Sequence, residues 1–152
     1  MRRSMPLRLV TVTVTAASLL AISVAATAGA TTSVPRAVAH TVIIEHTKLG
    51  PVLANSKGFT LYISVGDKTK GKSSCTGYCA AIWPPLHVTG KPTFGTGLKA
   101  SMFTVITRAD HTKQLAVNGK PLYTFVSDTK AAQTSGEGVN GFFAVRPNGT
   151  KY

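Results

Sequence analysis

The sequence predicts a small all-β domain made of two related β units around a pseudo-twofold axis, with one short helical turn near Cys75 and Cys79. Three observations lead to this prediction. Short runs rich in Val, Ile, Phe, Tyr and Thr alternate with turn-forming residues, one group of features occurs twice, and 14 Gly with 8 Pro disfavour long helices. The predicted strands are residues 41–45, 51–54, 59–65, 102–107, 114–117, 121–126 and 141–146, and the helical turn is 77–82.

The internal repeat appears as four pairs of identical residues separated by 61 positions. The pairs are Gly58 and Gly119, Leu61 and Leu122, Tyr62 and Tyr123, and Asp67 and Asp128. The tripeptide starting at His46 also returns at His111. We therefore expect a β domain over residues 41–152, with repeat 1 at about 46–100 and repeat 2 at about 111–149. Asn118-Gly119 predicts a type I′ hairpin turn, because both central residues of that turn need positive φ.

The N-terminal segment has the layout of a secretory signal peptide. Arg2, Arg3 and Arg8 precede an uncharged, largely apolar run that ends in the small residues Ala26-Thr27-Ala28. We expect cleavage after Ala28, which lowers the net charge from +12 to +9, and a flexible tether over 29–40. An uncleaved membrane anchor is the alternative, since the run is long enough to span a bilayer. The first cysteine is Cys75, so no lipid-anchoring cysteine follows the leader.

The motifs of both halves resemble those of a bacterial secreted-repeat family of predicted lipoproteins, which carries Tyr-x-aromatic-x-x-Asp in tandem. Tyr62 to Asp67 and Tyr123 to Asp128 match its spacing, and the resemblance covers about residues 49–149. Ser64 replaces the aromatic residue in the first copy, whereas Phe125 keeps it in the second. The resemblance implies a secreted β fold and supplies no reaction, because the family has no established activity.

The repeated motif residues Tyr62, Asp67, Tyr123 and Asp128 have two interpretations. Side chains five positions apart point to opposite faces of a straight strand, so Tyr and Asp of one copy do not form a pair there. We expect each Tyr in the core and each Asp closing a turn by accepting backbone N–H groups. The alternative is a repeated surface notch that binds sugar or peptide.

Cys75 and Cys79 are the only cysteines, and in an exported chain they are expected to form a disulfide. Such a short loop would stabilise the chain by only about 2 kcal/mol. The alternatives are a copper or zinc site formed by both thiolates with His87, or a redox-active thiol pair. We expect no cofactor and no catalytic residues, because the sequence shows none of the familiar catalytic motifs and gives no reason to pair any two of its five acids.

The chain has 17 Lys and Arg against 5 Asp and Glu, a formal net charge of +12. Its densest basic patch is Lys68, Lys70 and Lys72. Export argues against nucleic acid as the partner, so anionic cell-wall polymer or a membrane surface is the better electrostatic match. The sequence therefore predicts a secreted, non-catalytic binding module of the envelope or the extracellular space.

Overall fold

The computed structural model describes residues 40–152, which form short strands connected by many turns. The strands are β1 (Val42–Thr47), β2 (Gly50–Asn55), β3 (Tyr62–Ser64), β4 (Phe103–Thr107), β5 (Lys113–Val117), β6 (Lys120–Pro121) and β7 (Phe142–Ala144). A helix α1 (Tyr78–Ile82) and two 3₁₀ turns (Ala100–Met102 and Val139–Gly141) complete the elements. The predicted all-β class and the helical turn at 77–82 are confirmed. The predicted signal peptide (1–28), and the predicted tether (29–40) except its last residue, lie outside the described residues.

Each half begins with an antiparallel hairpin. β1 pairs with β2 across a two-residue turn, and β4 pairs with β5 across the five residues 108–112. β5 continues into β6 through Asn118 (φ 49°) and Gly119 (φ 77°), both left-handed as the type I′ prediction requires. β3 and β6 are shorter than the predicted runs 59–65 and 121–126.

The two halves exchange strands, as a ring of three backbone hydrogen bonds shows. The N–H of Leu53 donates to the carbonyl of Val145 (2.7 Å), that of Leu61 to Leu53 (2.8 Å), and that of Val145 to Leu61 (3.1 Å). Val145 belongs to the C-terminal half, whereas both leucines belong to the N-terminal half. The end of the second half therefore completes the first.

A second ring repeats this arrangement with the roles of the halves reversed. Leu115 donates to Leu86, Leu122 to Leu115, and Leu86 to Leu122, each at 2.9 Å. Leu86 comes from the N-terminal half and completes the C-terminal one. Because each half is completed by a segment of the other, neither half has a complete set of backbone partners alone.

The pseudo-twofold axis passes between Tyr62 and Tyr123. Their backbones exchange two hydrogen bonds, from Tyr62 N–H to the Tyr123 carbonyl (2.8 Å) and from Tyr123 N–H to the Tyr62 carbonyl (2.9 Å). Trp83 and Phe142, which hold corresponding places in the two halves, stack with ring centroids 3.9 Å apart and an interplanar angle of 4°. The predicted two-unit architecture is thus visible at the centre of the domain.

Alternation along the central strands separates two cores. Tyr62 and Tyr123 point into an aromatic cluster with Trp83 and Phe142. Their neighbours in sequence point the other way, into a mainly aliphatic cluster. The buried members of that cluster are Val42, Leu53, Leu61, Ile63, Phe103, Leu115, Val117, Leu122 and Val145.

The predicted equivalence of the tripeptides at His46 and His111 is wrong. His46 lies in β1 opposite Pro51, whereas His111 (φ 62°) lies in the turn before β5. In the second hairpin the residue that corresponds to His46 is Thr107. His46 lies opposite Pro51 and Thr107 lies opposite Lys113, and these two partners each stand two residues before the leucine of their strand, Leu53 or Leu115, in the hydrogen-bonded rings. β4 therefore belongs to the second repeat, which begins ahead of residue 111.

We predict that the two halves stay together after the connection between them is cut. Residues 89–91 are exposed and lie outside the strands, so a specific protease site inserted after Gly90 should be cleaved in the folded protein. The disulfide joins two residues of the first fragment, so no covalent bond would link the fragments. Both should elute together in gel filtration and separate only in denaturant. Separate elution without denaturant would contradict the exchanged topology.

Candidate functional site

The motif tyrosines hydrogen-bond to the motif aspartates of the opposite repeat. Tyr62 donates its hydroxyl proton to Asp128 Oδ2 (2.6 Å), and Tyr123 donates to Asp67 Oδ2 (2.8 Å). Both tyrosines are fully buried, and the two aspartates are at most 5% exposed. This geometry agrees with the expectation that Tyr and Asp of one copy do not pair along a strand. The pairing between copies is a feature that the sequence analysis missed.

The second oxygen of each aspartate closes the loop that follows it. Asp67 Oδ1 accepts the backbone N–H (2.6 Å) and hydroxyl (2.8 Å) of Ser74, and Asp128 Oδ1 accepts the N–H of Ser135 (2.9 Å). The expected roles, Tyr in the core and Asp closing a turn, are therefore correct. The alternative of a surface notch stays a prediction that the burial of the four motif side chains does not favour.

Arg108 extends this buried network in the second repeat. Its Nη1 donates to Ser73 Oγ (2.8 Å) and Gln114 Oε1 (2.7 Å), and its Nη2 donates to the carbonyl of Cys75 (2.7 Å). Tyr123 gives its only proton to Asp67, so Ser73, 2.6 Å away, donates to Tyr123. The result is one directed chain of donors from the guanidinium to the carboxylate.

Sequence reasoning overlooked Arg108 and Gln114. Gln114 stands at a fully buried position in β5, where its Nε2 also donates to the carbonyl of Leu122 (2.8 Å). A polar amide inside an apolar strand was the one available signal, because a buried amide needs partners. Nothing in the sequence indicates that a residue of a hairpin turn, Arg108, would supply one.

The close packing around Gly136, which follows the loop after Asp128, requires a residue without a side chain. A Cβ built there would lie 2.7 Å from the Trp83 ring and 3.0 Å from the Tyr62 ring. Its N–H points at the Tyr62 hydroxyl oxygen (3.3 Å). Glycine thus lets the backbone approach the aromatic cluster closely enough to contact the motif tyrosine.

Cys75 and Cys79 form the expected disulfide, with Cα atoms 5.2 Å apart. The bridge closes the loop that places the Cys75 carbonyl against Arg108. Both sulfurs are consumed, so the oxidised protein has no thiolate pair for a soft metal or for thiol redox chemistry. His87, the third ligand of that alternative, is exposed and bridges to Gln114 at the edge of β5. Among residues 40–152, no group of three or more His, Cys, Asp or Glu is placed to hold a metal ion.

The predicted basic patch is exposed and held on a fixed loop. Lys68, Lys70 and Lys72 all face solvent, and the loop is fixed by a bond from Gly71 N–H to the Gly119 carbonyl (2.8 Å). Lys120 Nζ donates to the carbonyl of Asp67 (2.8 Å) at the base of the same loop. A fourth ammonium group therefore lies beside the patch.

Burial raises the pKa of both motif tyrosines far above their ordinary value of 10.0. For Tyr62, the hydrogen bond to Asp128 and the charge of that carboxylate raise the pKa further. For Tyr123, the bond with Ser73 acts in the lowering direction and Asp67 in the raising direction. Both phenols therefore remain protonated donors in the folded protein.

Replacing Tyr62 with Phe should lower the free energy of unfolding by about 1.5–3 kcal/mol, because Asp128 loses a buried hydrogen-bond donor. Tyr152→Phe is the matched control. Its hydroxyl donates to the Pro51 carbonyl at an exposed position, so its loss should cost about 0.5 kcal/mol. Urea unfolding of the three proteins measures the difference. Equal losses for the two variants would show that the Tyr62–Asp128 bond has no special weight.

The raised tyrosine pKa also predicts a loss of stability at high pH. The folded state holds the phenol proton more tightly than the unfolded chain, so stability is complete below about pH 10 and falls as pH rises further. Tyr62→Phe should lose less stability than the wild type between about pH 8 and about pH 11, whereas lysine titration is common to both. Urea unfolding at the two pH values tests this. An identical decrease in both proteins would contradict it.

Comparison with known proteins agrees with the duplicated architecture. A family model described as a secreted repeat of unknown function (Lipoprotein_15) matches the chain twice, over residues 44–87 and 104–148. The second match begins in β4, as the strand pairing requires. No curated protein and no solved structure matches the chain. Within residues 40–152, no helix is long and apolar enough to cross a bilayer. The chain belongs to the family of secreted repeats of unknown function, and it carries two copies of that repeat.

Proposed function

We propose that this secreted protein is a non-catalytic binding module for anionic polymers of the cell envelope, and that no lipid anchor holds it. The observation that carries the proposal is which charged side chains are engaged within the fold and which are not. The acids are used within the fold, whereas the lysines are left to solvent. Such a surface attracts polyanions over a range of about 8–10 Å at physiological salt.

Each of the five acids has a partner inside the molecule. Asp67 and Asp128 accept the motif tyrosines, and Glu137 accepts the N–H of Ala144 (2.6 Å). Asp110 accepts Thr112 N–H and lies near Arg108, and Glu45 accepts the N–H of His46. The acids therefore stabilise loops and strands through these hydrogen bonds, and two of them, Asp67 and Asp128, are also buried.

The lysines show the opposite distribution. Every lysine in residues 40–152 is exposed except Lys120, which is partly buried. In this part of the chain the single ion pair joins Arg108 to Asp110 at 3.7 Å, so no lysine is neutralised by a carboxylate. A cationic surface without internal compensation is what an anionic polymer would recognise.

The burial of the motif carboxylates supports a role without catalysis. A general acid or base must reach the substrate proton directly or through one water. Asp67 and Asp128 are instead enclosed by tyrosine and serine partners. The copper- or redox-handling alternative would require Cys75 and Cys79 as free thiols, and we do not propose it, because the two sulfurs are bonded to each other.

We expect the mature protein to bind an immobilised polyol-phosphate cell-wall polymer and not an uncharged glucan, with retention falling as salt rises. Replacing Lys68, Lys70 and Lys72 with Gln should weaken binding at least about tenfold, since each ammonium near an anionic surface contributes on the order of 1 kcal/mol. The matched control replaces three other exposed lysines, Lys57, Lys91 and Lys99, with Gln.

The control should retain more binding than the patch variant, because it removes the same charge elsewhere. Equal weakening would assign binding to overall charge. If the anionic polymer does not retain the protein at physiological salt, the proposed function is wrong. Equal retention on vesicles of anionic phospholipid would point to the membrane surface in place of the wall.

A further inference from the structure

The pseudo-twofold axis relates two clefts that have diverged. The open cleft has a volume of about 700 Å³ and is lined by His46, Thr47, Lys48 and residues 130–135. The closed cleft has about 460 Å³ and is lined by Ser73, Thr76, Gly77, Ala80, Arg108, Ala109 and Asp110. Each lies between the first hairpin turn of one repeat and the loop that follows the motif Asp of the other.

Loop geometry confirms that the two clefts correspond. Gly71 (φ 74°) and Ala132 (φ 61°) are left-handed at equal places in the loops after Asp67 and Asp128. The N–H of Gly71 donates to the Gly119 carbonyl (2.8 Å), and that of Ala132 donates to the Gly58 carbonyl (3.0 Å). The same backbone frame therefore supports both sites, and the side chains distinguish them.

Most polar groups of the closed cleft are satisfied by its own residues, whereas Arg108 Nε is buried without a hydrogen-bond partner among the described residues. Arg108, with its side chain 3% exposed, uses both terminal nitrogens on Ser73, Gln114 and the Cys75 carbonyl. Asp110 lies 3.7 Å from its Nε. The disulfide holds the facing loop against this arrangement, so few polar groups are left to receive a ligand.

The open cleft is not filled by a long side chain as the closed cleft is by Arg108. In the register of the two hairpins, Thr47 follows His46 as Arg108 follows Thr107. The Thr47 hydroxyl donates back to the Gly50 carbonyl (2.9 Å) and does not span the cleft. The position that holds a long guanidinium side chain in one repeat therefore holds a short hydroxyl in the other.

The lining of the open cleft is cationic and its donors are free. Lys48 and Lys130 are exposed and form no ion pair or side-chain hydrogen bond within residues 40–152, and the same region offers no partner for the Thr134 hydroxyl. No carboxylate lines the cleft. Glu45 is not among the lining residues, but its carboxylate lies beside Gly58, close to the lining residue Ala131, and it accepts the backbone N–H of His46 (3.2 Å).

The loop that forms one wall is held in place without a ligand. Gln133 Oε1 accepts the N–H groups of Thr129 (2.6 Å) and Lys130 (2.9 Å), and the Gln133 carbonyl accepts the Thr60 hydroxyl (2.6 Å). Ser135 is bound to Asp128 through its N–H. A preorganised wall reduces the ordering cost of binding.

We propose that the open cleft binds the phosphodiester group of a polyol-phosphate polymer. Two ammonium groups, an imidazole and the Thr134 hydroxyl can all donate to phosphate oxygens. The volume exceeds that of one phosphate and leaves room for the adjoining polyol unit. This inference rests on the proposed function for the identity of the polymer, and it assigns recognition to a cleft separate from the basic patch Lys68, Lys70 and Lys72.

The test is an NMR titration of the mature protein with a soluble glycerol-phosphate oligomer. We expect the amide signals of residues 130–135 to shift, and Lys48→Gln/Lys130→Gln to weaken binding at least about tenfold. The matched control, Lys91→Gln/Lys99→Gln, removes the same charge from exposed positions outside the cleft and should weaken binding less than about threefold. Inorganic phosphate should bind more weakly than the oligomer, because it leaves the polyol volume empty.

The outcomes separate this inference from the proposed function. If the cleft variant and its control bind the oligomer equally, or residues 130–135 do not shift, the cleft assignment is overturned, even where wall polymer still retains the protein through the basic patch. If wall polymer fails to retain the protein but the oligomer shifts residues 130–135, the site stands and the proposed function fails. Binding to anionic phospholipid vesicles without binding to the oligomer would also overturn the assignment.

Discussion

The hydrogen bonds between Tyr62 and Asp128 and between Tyr123 and Asp67 are the constraint on which the domain depends. Each joins one repeat to the other in a fully buried setting, where an unpaired carboxylate would be very costly. The same two carboxylates also accept the hydrogen bonds that hold the loops after Asp67 and Asp128. The exchanged strands and the stacked Trp83 and Phe142 rings act in the same direction. The tandem motif is therefore the cross-link that makes two repeats into one domain.

The two repeats share the Tyr–Asp hydrogen bonds and differ in the side chains of the clefts beside them. The second hairpin supplies Arg108, which, with the disulfide of the first repeat, locks one of the two related clefts. The first hairpin has Thr47 at that place, and its cleft stays open. A duplicated fold can use one copy of a site for stability and leave the other for binding, because the buried network holds both loops in either case.

The acidic and basic side chains also differ in how far they are engaged within the fold. The carboxylates accept hydrogen bonds from turn residues and from the motif tyrosines, and one of them pairs with Arg108. The exposed lysines therefore have no carboxylate partner in the described part of the chain. With 17 Lys and Arg against 5 Asp and Glu, the acids could compensate only a minority of the basic side chains even if all of them formed ion pairs. This uncompensated basic surface is the physical basis for expecting an anionic partner.

The sequence by itself determined the β class, the duplication, the Asn118-Gly119 turn, the helical turn and the disulfide, because these depend on local propensity, turn chemistry and short spacings. It also indicated that Tyr and Asp of one motif do not meet. Only the tertiary structure decided that each Tyr meets the Asp of the other copy, that Arg108 and not His111 matters in the second hairpin, and that the clefts differ. Those outcomes depend on strand exchange and register over some 60 residues, and no local pattern encodes which distant partner a buried polar group will find.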